Sequence, residues 1–381
     1  MKKKLALVIH SLGALREPSG VKGGANHVTK HLLDALLERQ DIDLLLISSM
    51  VDNFQYKNLQ ALECFEGSIY ADEDKVWPQL LAIMDRYPEY EFLFSDIMSP
   101  VGHLLLHCQS VPHRISRLPQ WLKVIKGDKA QAKLYRQQQD LQNKNRRFLM
   151  VSKQLEQDYI THFKLPEAHC QVAYPGVTTQ NHSQPNPLTP VPVIGMVGSR
   201  SVNKGCWLLL LALWGLILCQ QPFKLVLIHP NLAKDLLSRC LLAPIRWFRS
   251  VTVLPFQINL EPFYEQLHVF VLPSNNEGFG LVTLEAMAKG AIPIVASTAG
   301  SAELIEHGHN GFVFQREKRP VLALFNCLRA VCQLPEPAFS HVQNNALATA
   351  QQATWQGFAA TVVDHVFAEA PEHTDGLKAS A

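Results

Sequence analysis

Paired cysteines, long apolar runs and a dinucleotide-binding fingerprint are all missing from this chain of 381 residues. None of its eight cysteines forms a C-x-x-C pair, so the sequence predicts neither a zinc site nor a disulfide framework, and a reducing cytoplasm fits. The longest apolar run, residues 206–219, is shorter than the ~20 residues that a membrane-spanning helix needs, and it predicts a buried helix. The three lysines at 2–4 precede only a short apolar stretch, so we expect no signal peptide.

The length of the chain predicts two domains, because a single hydrophobic core rarely grows beyond about 250–300 residues. Hydrophobic residues make up 47% of the sequence and charged residues 18%, which indicates ordinary packed cores and not disorder. Residues 178–192 carry four prolines, a composition typical of a linker between domains.

The most informative stretch is residues 269–289. An apolar strand leads into a turn that contains Gly278 and Gly280, and a run of helix formers follows. The first N–H groups of a helix have no partner in the chain, so this arrangement predicts an anion-binding site. Two carboxylates, Glu277 and Glu285, flank the glycine turn. Their alternative roles are a helix cap and a solvated side chain.

A second anion site is predicted earlier in the chain. An apolar strand ends at Gly198, and the loop from there to Gly205 carries Arg200 and Lys204. Two cations at the carboxyl end of a strand suit a diphosphate, whose charge must be neutralised as it leaves. The alternative is a solvated loop.

The first apolar strand, at residues 5–10, is followed by a loop and by Gly23 and Gly24, which open a helix. A lone glycine loop of this kind is a weak signal, because several nucleotide-binding folds share it. Residues 91–96 form another predicted strand, which ends at Asp96, and His103 lies before a predicted apolar helix. Ligands collect at the carboxyl ends of such strands, so Asp96 and His103 are candidates for positioning an acceptor hydroxyl. The alternatives are a helix cap for Asp96 and a packed helix residue for His103.

Residues 112–153 are the most basic part of the chain. Eleven lysines and arginines there face only two aspartates, and a tryptophan and aliphatic residues lie between them. The segment favours an interface with anionic lipid or with a phosphorylated acceptor over a solvated surface. It lacks a nucleic-acid-binding motif, and we expect no nucleic-acid partner.

Glu277 and Glu285, with seven residues between them, resemble the hallmark of retaining glycosyltransferases of family 4, which have the GT-B fold. The flanking family pattern G-x-P-V-V-A-S-x-x-G-G-x-x-E-x-I is similar to residues 290–305, where Ser301 replaces the usual second glycine. A further G-x-x-G-x-L-V pattern is similar to residues 308–313. The resemblance is strong from 193 to 315 and looser before that.

The chain also departs from the family pattern. Asn26 and His27 stand where the family has Glu-Arg, which predicts a different handling of the acceptor. Lys204 with Gly205 matches the family's K-G, whereas Arg200 lies one place later than the commonest arginine. After the strand at 224–228 the family has G-x-G, and this chain has His229-Pro230-Asn231.

The resemblance implies roles for the site residues. Glu285 would bind the ribose hydroxyls of a nucleotide, Glu277 would hold sugar hydroxyls, and the base would rest at residues 256–258. The expected donor-binding residues are Gly23, Gly24, Gly198, Gly278, Phe279, Gly280, Leu281 and Glu285. The expected catalytic residues are Glu277, Arg200, Lys204, Asp96 and His103.

The resemblance also implies an α/β chain of two Rossmann-like domains whose parallel sheets face a central cleft. We expect an acceptor-side domain at 1–180, a linker at 181–192, a donor domain at 193–345, a helix crossing back to the first domain at 346–368 and a tail at 369–381.

The implied function is a retaining transfer of a hexose-type sugar from UDP-sugar or GDP-sugar to a hydroxyl of a glycan or glycolipid. No metal and no cofactor are expected, since cations and a helix end supply the positive charge. Cell-envelope polysaccharide or lipopolysaccharide synthesis at the cytoplasmic face of the inner membrane would fit. The alternatives are a glycoside hydrolase that uses the two glutamates, and a non-catalytic protein or an epimerase that binds nucleotide-sugar. A dehydrogenase is disfavoured because the dinucleotide fingerprint is missing.

Overall fold

A computed structural model gives the architecture of the chain. It describes residues 2–11, 24–49, 56, 59, 61–67, 73–95, 103–106, 147–163, 165–178, 185–198, 202–230 and 232–368. Three residues named in the sequence predictions lie outside these ranges, namely Gly23, Asp96 and Arg200. Most of the basic segment also lies outside them.

The first domain is built on a seven-stranded parallel sheet with the order β3-β2-β1-β4-β5-β6-β7. Its central strands read as continuous apolar runs because both faces of a parallel sheet are covered. The strands are β1 Lys3–Ser11, β2 Ile42–Ser49, β3 Ala61–Phe65, β4 Glu91–Ser95, β5 His103–Leu106, β6 Phe148–Met150 and β7 Cys170–Val172. The helices described between these strands are α1 Gly24–Leu37, α2 Glu73–Arg86 and α3 Lys153–Phe163.

The second domain has a six-stranded parallel sheet with the order β10-β9-β8-β11-β12-β13. Strands β8 and β11 lie side by side at its centre, so the loops that follow them open at the same edge. The strands are β8 Val193–Val197, β9 Lys224–Ile228, β10 Ser250–Leu254, β11 Val269–Leu272, β12 Ile292–Ala296 and β13 Phe312–Phe314.

Seven α-helices are described from residue 202 onward. The predicted buried helix at 206–219 is confirmed as α4, and it begins after Gly205, whose φ of 70° is left-handed. The helices are α4 Cys206–Leu218, α5 Leu236–Phe248, α6 Glu261–Tyr264, α7 Leu281–Ala288, α8 Pro320–Cys332, α9 Glu336–Gln352 and α10 Trp355–Val366.

Two sequence expectations in the first domain differ from the structure. The apolar helix predicted after His103 is wrong, because residues 103–106 form strand β5 between β4 and β6. A run of four apolar residues carries too little periodicity to separate strand from helix. Arg147, counted in the basic segment, is buried and donates a hydrogen bond to the Ala368 carbonyl at 3.0 Å. It therefore adds no charge to a surface patch.

The end of the described chain packs on the first domain. The N–H of Val177 donates to the Ala353 carbonyl at 2.9 Å, and α10 lies against α1. Trp355, at the start of α10, stacks on His31 of α1 with ring centroids 4.6 Å apart. The segment from Ala353 through α10 therefore forms part of the boundary between the two domains.

None of the helices in the described ranges has the length and the apolar content to cross a membrane.

Candidate functional site

The glutamate turn joins β11 to the amino terminus of α7. Gly280 precedes the helix with a φ of 95°, and no side chain caps the first turn. A β-carbon at this position would lie 2.7 Å from Leu272 Cδ2, so both the backbone conformation and the space require glycine. The first N–H groups of α7 are therefore left for an anionic ligand.

A second turn, residues 298–304, holds the glutamate turn in place. The N–H of Gly300 donates to the Glu277 carbonyl at 3.1 Å, and the N–H of Ser301 donates to the Phe279 carbonyl at 2.7 Å. The Thr298 hydroxyl donates to the Ser274 carbonyl at 2.8 Å. These bonds explain why two turns so far apart in sequence belong to one structural unit.

Glu277 is paired with Lys204 across the sheet edge. Lys204 Nζ lies 2.6 Å from Glu277 Oε2, and the two side chains are 39% and 23% exposed. The loop that carries the lysine is tied to the glutamate turn, because the N–H of Asn275 donates to the Asn203 carbonyl at 2.6 Å. The structure thus brings together a predicted carboxylate and a predicted cation from segments 73 residues apart.

Glu285 points from the second turn of α7 toward α6. The buried Tyr264 hydroxyl donates to Glu285 Oε2 at 2.7 Å. Burial raises the pKa of the Glu285 carboxyl, and the hydrogen bond from Tyr264 acts in the opposite direction. Burial and the nearby carboxylate also raise the pKa of Tyr264, so the tyrosine stays a proton donor.

A cavity of about 400 Å³ lies in front of these groups, within the range of small-molecule sites. The second domain contributes Lys204, both glutamates and the start of α7. The first domain contributes His27 and His31 of α1, and Trp355 closes the wall between the domains. The cavity therefore joins the two domains and is not a pocket of one alone.

One wall of the cavity is the loop between β10 and α6. Phe256 and Ile258 are 54% and 67% exposed there, and they offer apolar contact area. The loop is fixed at its end, because the N–H of Glu261 donates to Asn259 Oδ1 at 2.9 Å. Lys289 is buried between Glu261 and Glu265 at 3.3 and 3.1 Å, which ties α6 to the end of α7.

The glutamate turn also forms the joint between the domains. The Ser152 hydroxyl donates to the Gly278 carbonyl at 2.7 Å. Glu303 accepts hydrogen bonds from the N–H groups of Lys153 and Gln154, both at 2.8 Å, and from the Tyr174 hydroxyl at 2.9 Å. A carboxylate of the second domain thus caps helix α3 of the first domain, where negative charge is favourable.

Comparison with known proteins identifies the second domain. Residues 191–332 match the family model described as Glycosyl transferases group 1. The match lies in the second domain and covers less than half of the chain. An alpha-mannosyltransferase of Xanthomonas oryzae, named for GDP-mannose and cellobiosyl-diphosphopolyprenol, is 30% identical over 152 residues, or 38% of each chain. An uncharacterized glycosyltransferase of Methanocaldococcus jannaschii is 32% identical over 180 residues, 43% of this chain and 45% of that protein. The matches span less than half of these relatives.

Solved structures match the first and second domains together. WaaG, a glycosyltransferase involved in lipopolysaccharide biosynthesis, has a TM-score of 0.73 at 14% identity and covers 96% of this chain and 100% of its own. The Anabaena protein HepE, solved with UDP and glucose, has a TM-score of 0.65 at 18% identity, over 97% and 100% of the two chains. The predicted GT-B fold is confirmed by these likenesses and by the two parallel sheets.

The remaining predicted residues of the candidate site fall into three sets. Gly24 begins α1, and Gly198 follows β8, where its N–H donates to the Ile228 carbonyl at 2.8 Å. Gly278 and Phe279 do not line the cavity, and the Phe279 ring is buried, 6.3 Å from the Tyr174 ring. The positions of Gly23, Asp96 and Arg200 lie outside the described residues, and His103 is described only as the first residue of β5. The roles assigned to all these residues stay predictions.

Sequence reasoning missed two residues of the candidate site, Tyr264 and Glu303. Tyr264 contacts Glu285 from a separate helix, and Glu303 contacts a helix of the other domain. No local pattern indicates such long-range partners. Glu303 does lie within the matched family pattern, and that position was the one available signal.

The departure from glycine after β9 has a structural account. His229 is buried, its Nε2 lies 3.2 Å from Asp235 Oδ2, and its ring passes close to Gly198. Asp235 also accepts from the N–H and the hydroxyl of Ser238, at 3.1 and 2.7 Å. The imidazole fills the space beside the end of β8, where a glycine would leave a gap.

Another cavity, of about 440 Å³, lies between α4 and α8. Its lining is apolar apart from Arg319, and it includes none of the predicted site residues. We therefore assign the chemistry to the cavity between the domains. In the described part of the chain, no cluster of His, Cys, Asp and Glu is placed to hold a metal ion. Independence from metal stays a prediction.

Proposed function

We propose that this protein is a retaining glycosyltransferase that moves a hexose-type sugar from a UDP-sugar or GDP-sugar to a hydroxyl of a glycan or glycolipid. One observation carries the proposal: the cavity between the domains holds the Lys204–Glu277 pair and Glu285 beside the uncapped start of α7. The match of the second domain to the model described as Glycosyl transferases group 1 supports the same activity.

The donor would lie along the second domain. Its base would rest on the loop with Phe256 and Ile258, and the ribose hydroxyls would reach Glu285 beside Tyr264. Its diphosphate would face Lys204 and the first N–H groups of α7, where both the cation and the helix end favour negative charge. The sugar hydroxyls would then meet Glu277.

In the reaction, the bond between the anomeric carbon and the diphosphate oxygen breaks, the acceptor oxygen forms the new bond to that carbon, and the proton of the acceptor hydroxyl passes to the departing diphosphate. Negative charge grows on the departing diphosphate, and Lys204 and the helix end stabilise it there. Arg200 is proposed as a second cation for this group. Retention of configuration rests on the family resemblance.

The acceptor and the location are further parts of the proposal. The names of the relatives include a mannosyltransferase acting on a diphosphopolyprenol and WaaG of lipopolysaccharide biosynthesis. We propose by analogy a lipid-linked or glycan acceptor and a place at the cytoplasmic face of the inner membrane. The hydrolase alternative is weaker, because it gives the start of α7 no anionic ligand.

A thermal-shift panel tests the donor site. UDP, GDP, ADP and NAD are added to the wild type, to Glu285→Ala and to the control Glu306→Ala, whose residue is exposed and does not line the cavity. We expect one of UDP and GDP to raise the melting temperature of the wild type and of the control, because a ligand that binds only the folded state stabilises it. The shift should be lost in Glu285→Ala.

The panel also separates the alternatives. A response to NAD alone, or to no nucleotide, would contradict the proposal. With the responding base known, its sugar donors are incubated with and without simple glycoside acceptors. Tight binding without any transfer would favour a nucleotide-sugar-binding protein, and cleavage of glycosides without a nucleotide would favour the hydrolase.

A further inference from the structure

Helix α5 presents an apolar face to solvent. Leu236, Leu237, Trp247 and Phe248 on this helix are 70%, 55%, 87% and 54% exposed. Ten large hydrophobic side chains are exposed among the described residues, and these four belong to one helix of 13 residues. Single exposed apolar residues are common on proteins, whereas a cluster of this kind marks an interaction surface.

The exposed residues lie on one side of α5. At 100° per residue, Leu236, Cys240 and Trp247 fall within about 40° of one another, and Leu237 and Phe248 lie beside them. The opposite side carries the buried Leu242 and Ile245 and packs against α4. An ordinary surface helix is polar on its outer side, so the outer apolar side of α5 is not explained by packing within the chain.

Another exposed leucine lies at the end of α4, near the end of α5. The Arg249 guanidinium donates to the Gln221 carbonyl at 2.8 and 3.2 Å, which brings the last residues of α5 next to the segment after α4. Leu218, the last residue of α4, is 79% exposed. We call Leu218 and the exposed residues of α5 the α5 surface.

The segment that carries the α5 surface has a positive net charge. Residues 234–249 contain Lys234, Arg239, Arg246 and Arg249, and their one acid is Asp235, so the local net charge is +3. Asp235 is occupied by the amino terminus of α5, where it accepts from Ser238 and lies near His229. An anionic bilayer complements both the exposed apolar side chains and the positive net charge of this helix.

We propose that the α5 surface docks on an anionic lipid bilayer. A helix of this kind lies in the plane of the interface, with leucine and phenylalanine inserted at the acyl boundary and tryptophan at headgroup depth. Arg246 flanks the apolar face and would meet lipid phosphates. This surface is in the second domain, and none of its residues belongs to the basic segment at 112–153.

Vesicle flotation of the full chain tests the proposal. Vesicles of phosphatidylcholine alone are compared with vesicles that also contain phosphatidylglycerol. The variants are Trp247→Ser with Phe248→Ser, Arg246→Gln, and the control Leu81→Ser, a similarly exposed leucine of α2. Melting temperatures and the nucleotide-induced shift are measured on each protein, so a folding defect or a defect of the donor site is recognised separately.

We expect the wild type and Leu81→Ser to bind the phosphatidylglycerol vesicles and to bind phosphatidylcholine alone at least tenfold more weakly. The Trp247 and Phe248 pair should lose more than tenfold in binding, and Arg246→Gln should lose about fivefold, the typical effect of one cation near an anionic surface. Unchanged binding by the Trp247 and Phe248 variant would overturn the proposal, as would equal binding to both lipids. Concentration-dependent dimers in sedimentation that disappear in this variant, with no vesicle binding, would assign the surface to a second copy instead.

Discussion

Replacing Lys204 by alanine should remove catalysis while leaving the fold nearly as stable as before. In the structure Lys204 Nζ contacts Glu277 Oε2 at 2.6 Å, but the lysine side chain is 39% exposed and its partner 23% exposed. Ion pairs with this much exposure contribute about 0–1 kcal/mol to stability, because solvent screens them. The melting temperature should therefore fall by no more than about 4 °C, given the usual ~2–4 °C per kcal/mol for domains of this size.

The expected effect on turnover is larger. In our proposal Lys204 leaves its contact with Glu277 and binds the departing diphosphate. The negative charge of this group grows in the transition state. A hydrogen bond to a charged group contributes about 1.5–3 kcal/mol. At ~1.36 kcal/mol for each factor of ten, this predicts a loss of about 10- to 150-fold in kcat. The affinity for the donor should change less than kcat, because the start of α7 still faces the phosphates.

The assay measures release of UDP or GDP from the donor that the thermal-shift panel selects. A matched control is Lys4→Ala, since Lys4 also forms a partly exposed pair, with Glu89 at 3.0 Å and 40% exposure, in the first domain. The control should keep wild-type turnover and show a similarly small change in melting temperature. Wild-type turnover in Lys204→Ala, or an equal loss in Lys4→Ala, would refute the role of Lys204.

Three further predictions rest on contacts of the same site. Glu277→Gln removes the carboxylate that pairs with Lys204. Isothermal titration should therefore give UDP or GDP an affinity at least as high as in the wild type, while turnover falls more than tenfold. Weaker binding of the diphosphate would contradict this. Burial raises the pKa of Glu285, so its contribution makes the folded state less stable as pH rises from the usual glutamate pKa of about 4.3 through the raised value. The melting temperature of the wild type relative to Glu285→Gln should therefore fall over that pH window, and a constant difference would argue against the raised pKa. Glu303→Ala removes the cap of α3 and should lower the free energy of unfolding by about 1–2 kcal/mol in urea titrations, whereas the exposed Glu306→Ala should change it little.

The order of elements in the second domain could be predicted from the sequence because its strands are short apolar runs bounded by glycine and polar turns. Residues 269–272 and 292–296 are of this kind, and both are buried throughout in the structure. The turn at Gly280 could be predicted too, since few residues other than glycine open a helix with a positive φ. In the first domain the four-residue strand β5 was too short to be told from a helix.

The contacts that complete the site could not be predicted from the sequence. Tyr264 and Glu285 meet because α6 and α7 are packed side by side, and Glu303 meets Gln154 across 149 positions of the chain. Such partners depend on how two sheets are placed relative to each other, and no spacing within a segment determines that placement. Lys204 and Glu277 were predicted individually, but their pairing at 2.6 Å is a property of the adjacent strands β8 and β11.

The glutamate turn connects the donor site to the arrangement of the domains. Its Gly278 carbonyl accepts from Ser152 of the first domain, and the turn that supports it carries Glu303, which caps α3. A β-carbon on Gly300 would lie 2.3 Å from the Gly278 carbonyl oxygen and 2.6 Å from Ser152 Cβ, so the three segments are in close contact. A ligand that binds Glu277 therefore contacts a turn that is hydrogen-bonded to both domains. Any other arrangement of the domains would release the Ser152 and Glu303 hydrogen bonds. Donor affinity should accordingly depend on the arrangement of the domains, since a ligand shifts an equilibrium by its difference in affinity between the two states.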